Sequence, residues 1–326
     1  MRKWAAVLLL ALAAGTVVAC GDDEEGGGGG AAGDSGGESY DMTLIAGVKG
    51  DEFYITMNCG AQEAAKELGV TLEFQGPDQF DAAQQTPIVD AVAAKSPDAI
   101  LIAPTDTKAL FAPISAAAAN SKIVLVDTTL EDPSMAVSQI ASDNVGGGVT
   151  AGETLIELIG GKGKVMVVNV KPGISTTDQR GSGFEEAVQQ SPDVEYLGQE
   201  YSQDDPAIAA QIVTSTLAKH PDLKGIFATN LFSAEGAASG LRQAGKLGEV
   251  KIVGFDAGPK QVKDLEDGLV QALIAQKPAD IGRQGVEQAV AALKGEPTKP
   301  EIGTDFEVIT KENLAEMQDV LYKPSC

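Results

Sequence analysis

Short unbroken apolar runs, each closed by a polar residue and followed by a stretch with helical spacing, recur along this chain. The clearest copies are Asp98-Ala-Ile-Leu-Ile-Ala-Pro104, Lys122-Ile-Val-Leu-Val-Asp127, Lys164-Val-Met-Val-Val-Asn169, Lys224-Gly-Ile-Phe-Ala-Thr-Asn230 and Lys251-Ile-Val-Gly-Phe-Asp256. Continuous rather than alternating apolar runs suit strands buried on both faces, as in parallel sheets covered by helices. Strand starts near 42, 70, 98 and 121, then near 164, 194, 224, 250 and 271, recur every 21 to 30 residues or so, the stride of β-α units. Helical stretches are expected between them, one with Met57, Ala61, Ala64 and Leu68 on a single stripe. The others are expected at about 82–94, 107–119, 144–159, 178–190, 205–218, 233–244 and 279–293. The series divides near Ser142-Asp143-Asn144, so the fold class is α/β, with two doubly wound halves.

The N-terminus has a different character. Arg2 and Lys3 precede an apolar run, Trp4 to Val18, that is short for a membrane span, and residues 1–19 read as a signal peptide ending Val17-Val18-Ala19-Cys20. Residues 20–39, with Gly26 to Gly30 unbroken and six acids, have nothing to bury and read as a solvated tether. Loss of residues 1–19 removes two of the 24 basic residues and leaves 22 against 47 acidic ones, a net charge of −25. A nucleic-acid partner is excluded by that charge, because phosphate binding needs a basic surface.

In open parallel sheets ligands bind beyond the carboxyl ends of the strands, which directs attention to the polar residues that close the runs: Asp51, Asp106, Asp127, Asn230, Asp256 and Gln276. Carboxylates and amides with an arginine suit a polyhydroxylated ligand, each bond to a charged group contributing ~1.5 to 3 kcal/mol. Asp and Asn at these places also serve as helix N-caps, and for Asp51, Asp106 and Asn144 the two readings weigh equally. No phosphate-binding glycine fingerprint, nucleophile elbow or metal-ligand spacing occurs, and the single His220 lies in a His-Pro-Asp turn. No enzyme activity, cofactor or metal is expected.

The same residues carry a resemblance. From about Thr43 to Ile309 the chain resembles the ribose-binding-protein-like family of periplasmic sugar-binding proteins, the soluble receptors of ABC importers. The stretches are Phe53-Tyr54 with Gly60-Ala61, Ala103-Pro-Thr-Asp106, Ile140-Ala-Ser-Asp-Asn144, Arg180-Gly-Ser-Gly-Phe184, His220-Pro-Asp222, Phe227-Ala-Thr-Asn230, Val253-Gly-Phe-Asp256 and Ile274-Ala-Gln276 with Ile281-Gly282. The resemblance implies a periplasmic binding protein type I fold, two lobes joined by a three-strand hinge that close on ligand. It sets the N-terminal lobe at 40–142 plus 277–304, the C-terminal lobe at 143–276 plus 305–310, and a tail helix within 311–326. Phe53 and Tyr54 match an aromatic pair that packs on sugar ring faces; Arg180, Asn230, Asp256 and Gln276 match hydroxyl-binding positions of the second lobe and hinge, and Asp127 a first-lobe carboxylate. Asp51 and Ala103 stand where ribose binders carry Asn, and Thr128 where they carry a second Arg, which argues against ribose itself and leaves polyols, other pentoses and hexoses. Cys20 matches the bacterial lipobox, so a monomeric receptor is expected, lipid-anchored outside the cytoplasmic membrane, with a sugar or polyol as ligand and ABC permease subunits as partners. The alternatives are a receptor for a chemoreceptor or sensor kinase, or a binder of another polar solute.

A disulfide between Cys59 and Cys326 is also expected. At 100° per residue Cys59 lies about 200° from Met57 on the first helix, on the face of Gln62, Glu63 and Lys66, and with Cys20 lipidated Cys326 is the other thiol of the chain. The bond ties a tail helix, roughly Lys311 to Tyr322, to the first lobe.

Overall fold

The computed structural model describes residues 39–326, so the expected signal peptide, Cys20 and nearly all of the expected tether lie outside the described residues. Two six-stranded sheets form the body. The first is ordered β11-β5-β4-β3-β1-β2, from β1 (Asp41–Ile45), β2 (Thr71–Gln75), β3 (Ala99–Ile102), β4 (Lys122–Val126), β5 (Ala136–Ser142) and β11 (Glu301–Thr304). The second is ordered β12-β10-β9-β8-β6-β7, from β6 (Gly163–Asn169), β7 (Val194–Tyr201), β8 (Leu223–Ala228), β9 (Lys251–Phe255), β10 (Ala272–Gln276) and β12 (Phe306–Thr310). Matched in order, β1 corresponds to β6, β2 to β7, β3 to β8, β4 to β9 and β5 to β10. The two lobes therefore repeat one topology, and the chain crosses between them after β5, after β10 and after β11.

Helices cover the sheets: α1 (Glu52–Leu68), α2 (Ala82–Lys95), α3 (Phe111–Ala117), α4 (Asn144–Leu158), α5 (Ser175–Gln189), α6 (Pro206–Lys219), α7 (Leu231–Gln243), α8 (Pro259–Glu266) and α9 (Pro278–Leu293). The continuous apolar runs are fully buried, as in Ala99–Ile102 and Lys122–Val126 apart from its first residue. Glycines let helices approach without intervening side chains. A Cβ on Gly282 of α9 would meet the Met57 carbonyl oxygen of α1 at 2.0 Å, and one on Gly60 of α1 would meet the Ala279 carbonyl oxygen at the same distance. This seam fixes the N-terminus of α1, and so the residues that precede and open it.

Several expectations need correction. Strands β5, β11 and β12 and helix α8 were not expected. In β5 the sequence Ala-Val-Ser-Gln-Ile-Ala-Ser alternates instead of running apolar, and β12 pairs antiparallel with β10, so the second sheet is mixed. Helix α3 begins at Phe111, because residues 105–110 are used in turns. Leu68 ends α1 at 43% exposed, outside the apolar stripe, whereas Cys59 is 4% exposed and belongs to the buried side. The reason lies at the C-terminus: the disulfide joins Cys59 to Cys326, and the tail covers that part of α1. The tail itself is two single 3-10 turns, Leu314–Glu316 and Gln318–Val320, in place of a helix over 311–322. No helix among the described residues is long and apolar enough to cross a membrane.

Candidate functional site

All eight side chains expected to bind ligand line one cavity between the carboxyl ends of the two sheets, about 410 Å³ of empty space with its opening to solvent included: Asp51, Phe53, Tyr54, Asp127, Arg180, Asn230, Asp256 and Gln276. Matched strands supply matched residues. Asp127 follows β4 and Asp256 follows β9, both in the left-handed region (φ 63° and 79°), where a side chain other than glycine is held at a cost of about 1–2 kcal/mol. Two residues bent the same way at corresponding strand ends place a carboxylate on each wall of the cavity. Gln276 ends β10, and its counterpart Ser142 at the end of β5 donates its hydroxyl to Gln276 Oε1 at 2.9 Å across the hinge.

The carboxylates, amides and arginine of the wall are each held by a neighbour. Gln276 Nε2 donates to Asp256 Oδ1 at 2.7 Å, and the Leu231 amide at the start of α7 donates to Asp256 Oδ2 at 3.0 Å. Asn230 caps α7 by accepting from the Ser233 amide, and its Nδ2 donates to Asp204 Oδ1 at 2.7 Å. Asp51 caps α1 by accepting from the Phe53 amide at 2.8 Å, so the capping and lining readings both hold for this residue. Arg180 is buried: Nε donates to Asn144 Oδ1 and Nη1 to the Thr229 carbonyl, each at 2.9 Å, and its guanidinium carbon sits 3.8 Å from the centre of the Phe255 ring. Among the described residues Arg180 makes no ion pair within 4 Å, although its charge pulls on the Asp127 carboxyl across a longer distance. Asn144, one reading of which was a cap, is the buried acceptor that aims this arginine.

The aromatic pair divides its duties. Phe53 and Tyr54 meet edge to face, centroids 5.1 Å apart, and Tyr54 also donates its hydroxyl to Asp127 Oδ2 at 2.7 Å, so one Asp127 oxygen is engaged within its own lobe. Burial raises the Asp127 carboxyl to about 6 against the opposing pull of Arg180 and the Tyr54 hydrogen bond. Burial likewise raises Asp204 to about 7, and it raises Asp51 well above the ordinary carboxylate range with added repulsion from Asp256 and Asp204. Four carboxylates facing one arginine make a cavity rich in acceptors and hostile to anions.

Phe80 and Asp204 also line the cavity and were not expected. They come from corresponding places, the loops after β2 and β7. The strand-end rule applied to those two strands points to them: Asp78-Gln79-Phe80-Asp81 carries a lone aromatic, and Asp204 precedes the α6 cap Asp205. The lobes touch over the cavity. Lys171 Nζ donates to the Phe80 carbonyl at 2.8 Å, the Thr107 amide to the Gly173 carbonyl at 3.1 Å, and the Thr129 amide to Ser175 Oγ at 3.0 Å. Asp106 stays outside the cavity, accepting from the amides of Lys108 and Ala109. No group of three or more His, Cys, Asp or Glu residues among the described residues could hold a metal ion.

Comparison with known proteins agrees with this geometry. A family model described as periplasmic binding protein domain matches residues 42–297. The ribose import binding protein RbsB of Escherichia coli is 32% identical over 272 residues, covering 83% of this chain and 90% of that protein, and the D-allose-binding periplasmic protein of the same organism is 28% identical over 251 residues, covering 74% and 81%. An ABC transporter solute-binding protein from Agrobacterium vitis, solved with α-D-tagatopyranose, superposes with a TM-score of 0.86 at 43% identity, covering 87% of this chain and all of that one. Two lobes of repeated topology, a polar cavity at the strand ends and these matches along most of its length show that the chain belongs to the periplasmic binding protein family, among its ribose-binding-protein-like members.

Proposed function

We propose that this protein is an extracytoplasmic receptor that captures a monosaccharide or sugar alcohol between its lobes and delivers it to an ABC importer. The observation that carries the reading is the composition of the interlobe cavity. Acceptors (Asp51, Asp127, Asp204, Asp256), the donor Arg180, the amides of Asn230 and Gln276, and the rings of Phe53, Tyr54 and Phe80 surround one small space. A pyranose or furanose presents hydroxyls around its edge and C–H groups on its faces, and this wall offers partners for both. Because the wall comes from both lobes, a bound ligand favours the closed arrangement by its differential affinity for it. The relatives point the same way, since ribose, allose, tagatose, arabinose and fucose appear in their names or structures. The protein acts by binding and not as an enzyme, works as a monomer, and is held to the outer face of the cytoplasmic membrane by lipid on Cys20, where membrane-embedded permease subunits receive the ligand.

The test is a thermal-shift screen of the delipidated ectodomain against sugars, polyols, amino acids and nucleosides. A ligand at about 100 times its Kd adds ~2.7 kcal/mol to stability, a shift of several degrees for a protein of this size. The reading expects at least one monosaccharide or polyol to give such a shift. A shift from an amino acid or nucleoside with none from any sugar or polyol contradicts it.

A further inference from the structure

The C-terminal tail reaches the back of the cavity. The tail leaves β12 in the second lobe, packs Leu314, Val320 and Leu321 against the core beside the hinge, and arrives at Tyr322, which is 4% exposed. The Tyr322 amide donates to the Ala257 carbonyl at 3.0 Å; its hydroxyl donates to Asp256 Oδ1 at 3.0 Å and accepts from the Gln276 amide at 3.1 Å. Its ring lies edge-on to Phe53, centroids 5.8 Å apart. One residue further, the Lys323 amide donates to Thr56 Oγ1 of α1 at 2.7 Å, and the chain then ends in the disulfide from Cys326 to Cys59. The tail thus starts in one lobe, touches the binding residues of both, and is fastened to the other.

We propose that Tyr322 is a positioning residue of the binding site, and that the Cys59–Cys326 disulfide keeps it there as a fourth covalent connection between the lobes. The proposal rests on the reading of the cavity as a sugar site. Asp256 Oδ1 is shared by Gln276 Nε2 and the Tyr322 hydroxyl, so the carboxylate rotamer and the Gln276 backbone are set together by one phenol. Phe53, the apolar wall opposite, leans on the same ring. Release of the tail removes a support from three cavity residues at once, although Tyr322 itself does not line the cavity.

Two measurements test this. In the ligand-free protein, amide hydrogen exchange is compared between wild type and Cys326→Ser. The Gln276 amide should accelerate at least about tenfold more in the variant than the Val124 amide of β4, which reports the global stability lost with the bond, because local opening near the tail is affected as well. Equal exchange at Gln276, or acceleration of both amides alike, overturns the latch. Secondly, D-tagatose affinity is measured for wild type, Tyr322→Phe, Asp256→Asn and the double variant. Loss of one hydrogen bond should weaken binding about three- to tenfold in the wild-type background and have almost no further effect with Asp256→Asn, since residues sharing one network couple. Additive losses overturn the positioning role. If D-tagatose and every other screened sugar fail to bind the wild type, the sugar reading of the cavity falls, while the exchange measurement still decides whether the disulfide holds Tyr322 in place.

Discussion

Arg180→Lys separates the charge of the arginine from its shape. The substitution keeps a cation near Asp127 but replaces a planar fork, whose Nε and Nη1 are committed to Asn144 and Thr229, with one ammonium on a flexible stem. An ammonium satisfying those two buried acceptors has no fixed direction left for a ligand, and one turned to the ligand leaves them unpaired. Either way about one charge-assisted contact is lost, ~2 to 3 kcal/mol, which is roughly a 30- to 150-fold weaker Kd. Stability should fall less, by about 1–2 kcal/mol, for one net hydrogen bond and part of the stacking on Phe255. The assays are calorimetric titration with the sugar that gives the largest thermal shift, and urea unfolding of the ligand-free protein. Binding within about twofold of wild type, with stability reduced as expected, would refute the reasoning: Arg180 would then be a scaffold for α4 and α5 with no hold on the ligand.

The remaining predictions concern protonation, the disulfide, the helix seam and the anchor. Asp127 and Asp204 hold protons at about 6 and about 7 when folded against an ordinary value of 3.8, so the native state binds more protons than the unfolded one between about pH 4 and 7 and stability falls as pH rises through that window. Ligand-free protein should melt at a higher temperature at pH 5 than at pH 8, and Asp127→Asn should narrow the difference; equal melting temperatures would contradict the burial of these carboxylates. Cys59→Ser should lower stability by a few kcal/mol, up to about 5 for a closed loop of this length, read by urea unfolding, and thiol titration of unfolded, unreduced ectodomain should find neither Cys59 nor Cys326 free. Gly282→Ala drives a methyl into the Met57 carbonyl and should cost about 2–4 kcal/mol in the same unfolding assay. Cys20→Ala should abolish lipid labelling and release the protein from membranes, as seen by fractionation.

Much of the second lobe was legible because its strands are continuous apolar runs that end in named polar residues; Asp256 and Asn230 are found by walking to the end of a run. β5 was missed because its pleat alternates, and with it the register that brings Ser142 to Gln276. Phe80 and Asp204 were missed because β2 and β7 read weakly: the burial of Thr71–Gln75 and Val194–Tyr201 is partial, so neither strand shows a continuous apolar run with a polar residue closing it. Helical geometry singled out Cys59 as a residue that needs a partner, and it has one, yet the inferred reason was incomplete. Its side of α1 is polar in sequence but covered in the folded chain, because the tail from the other end of the sequence lies there. No periodicity within 311–326 announces that a tyrosine of the tail reaches Asp256, since such a contact joins residues 66 positions apart.

The central claim is that these strand ends form the ligand site, and calorimetric titration of the best sugar from the screen into wild type, Asp256→Ala and the exposed-surface control Glu153→Ala tests it most directly. Wild type and Glu153→Ala should bind one equivalent with the same Kd, and Asp256→Ala, which loses the carboxylate shared by Gln276, Leu231 and Tyr322, should bind at least about 30-fold more weakly. Equal affinity in all three would contradict the placement of the site in this cavity.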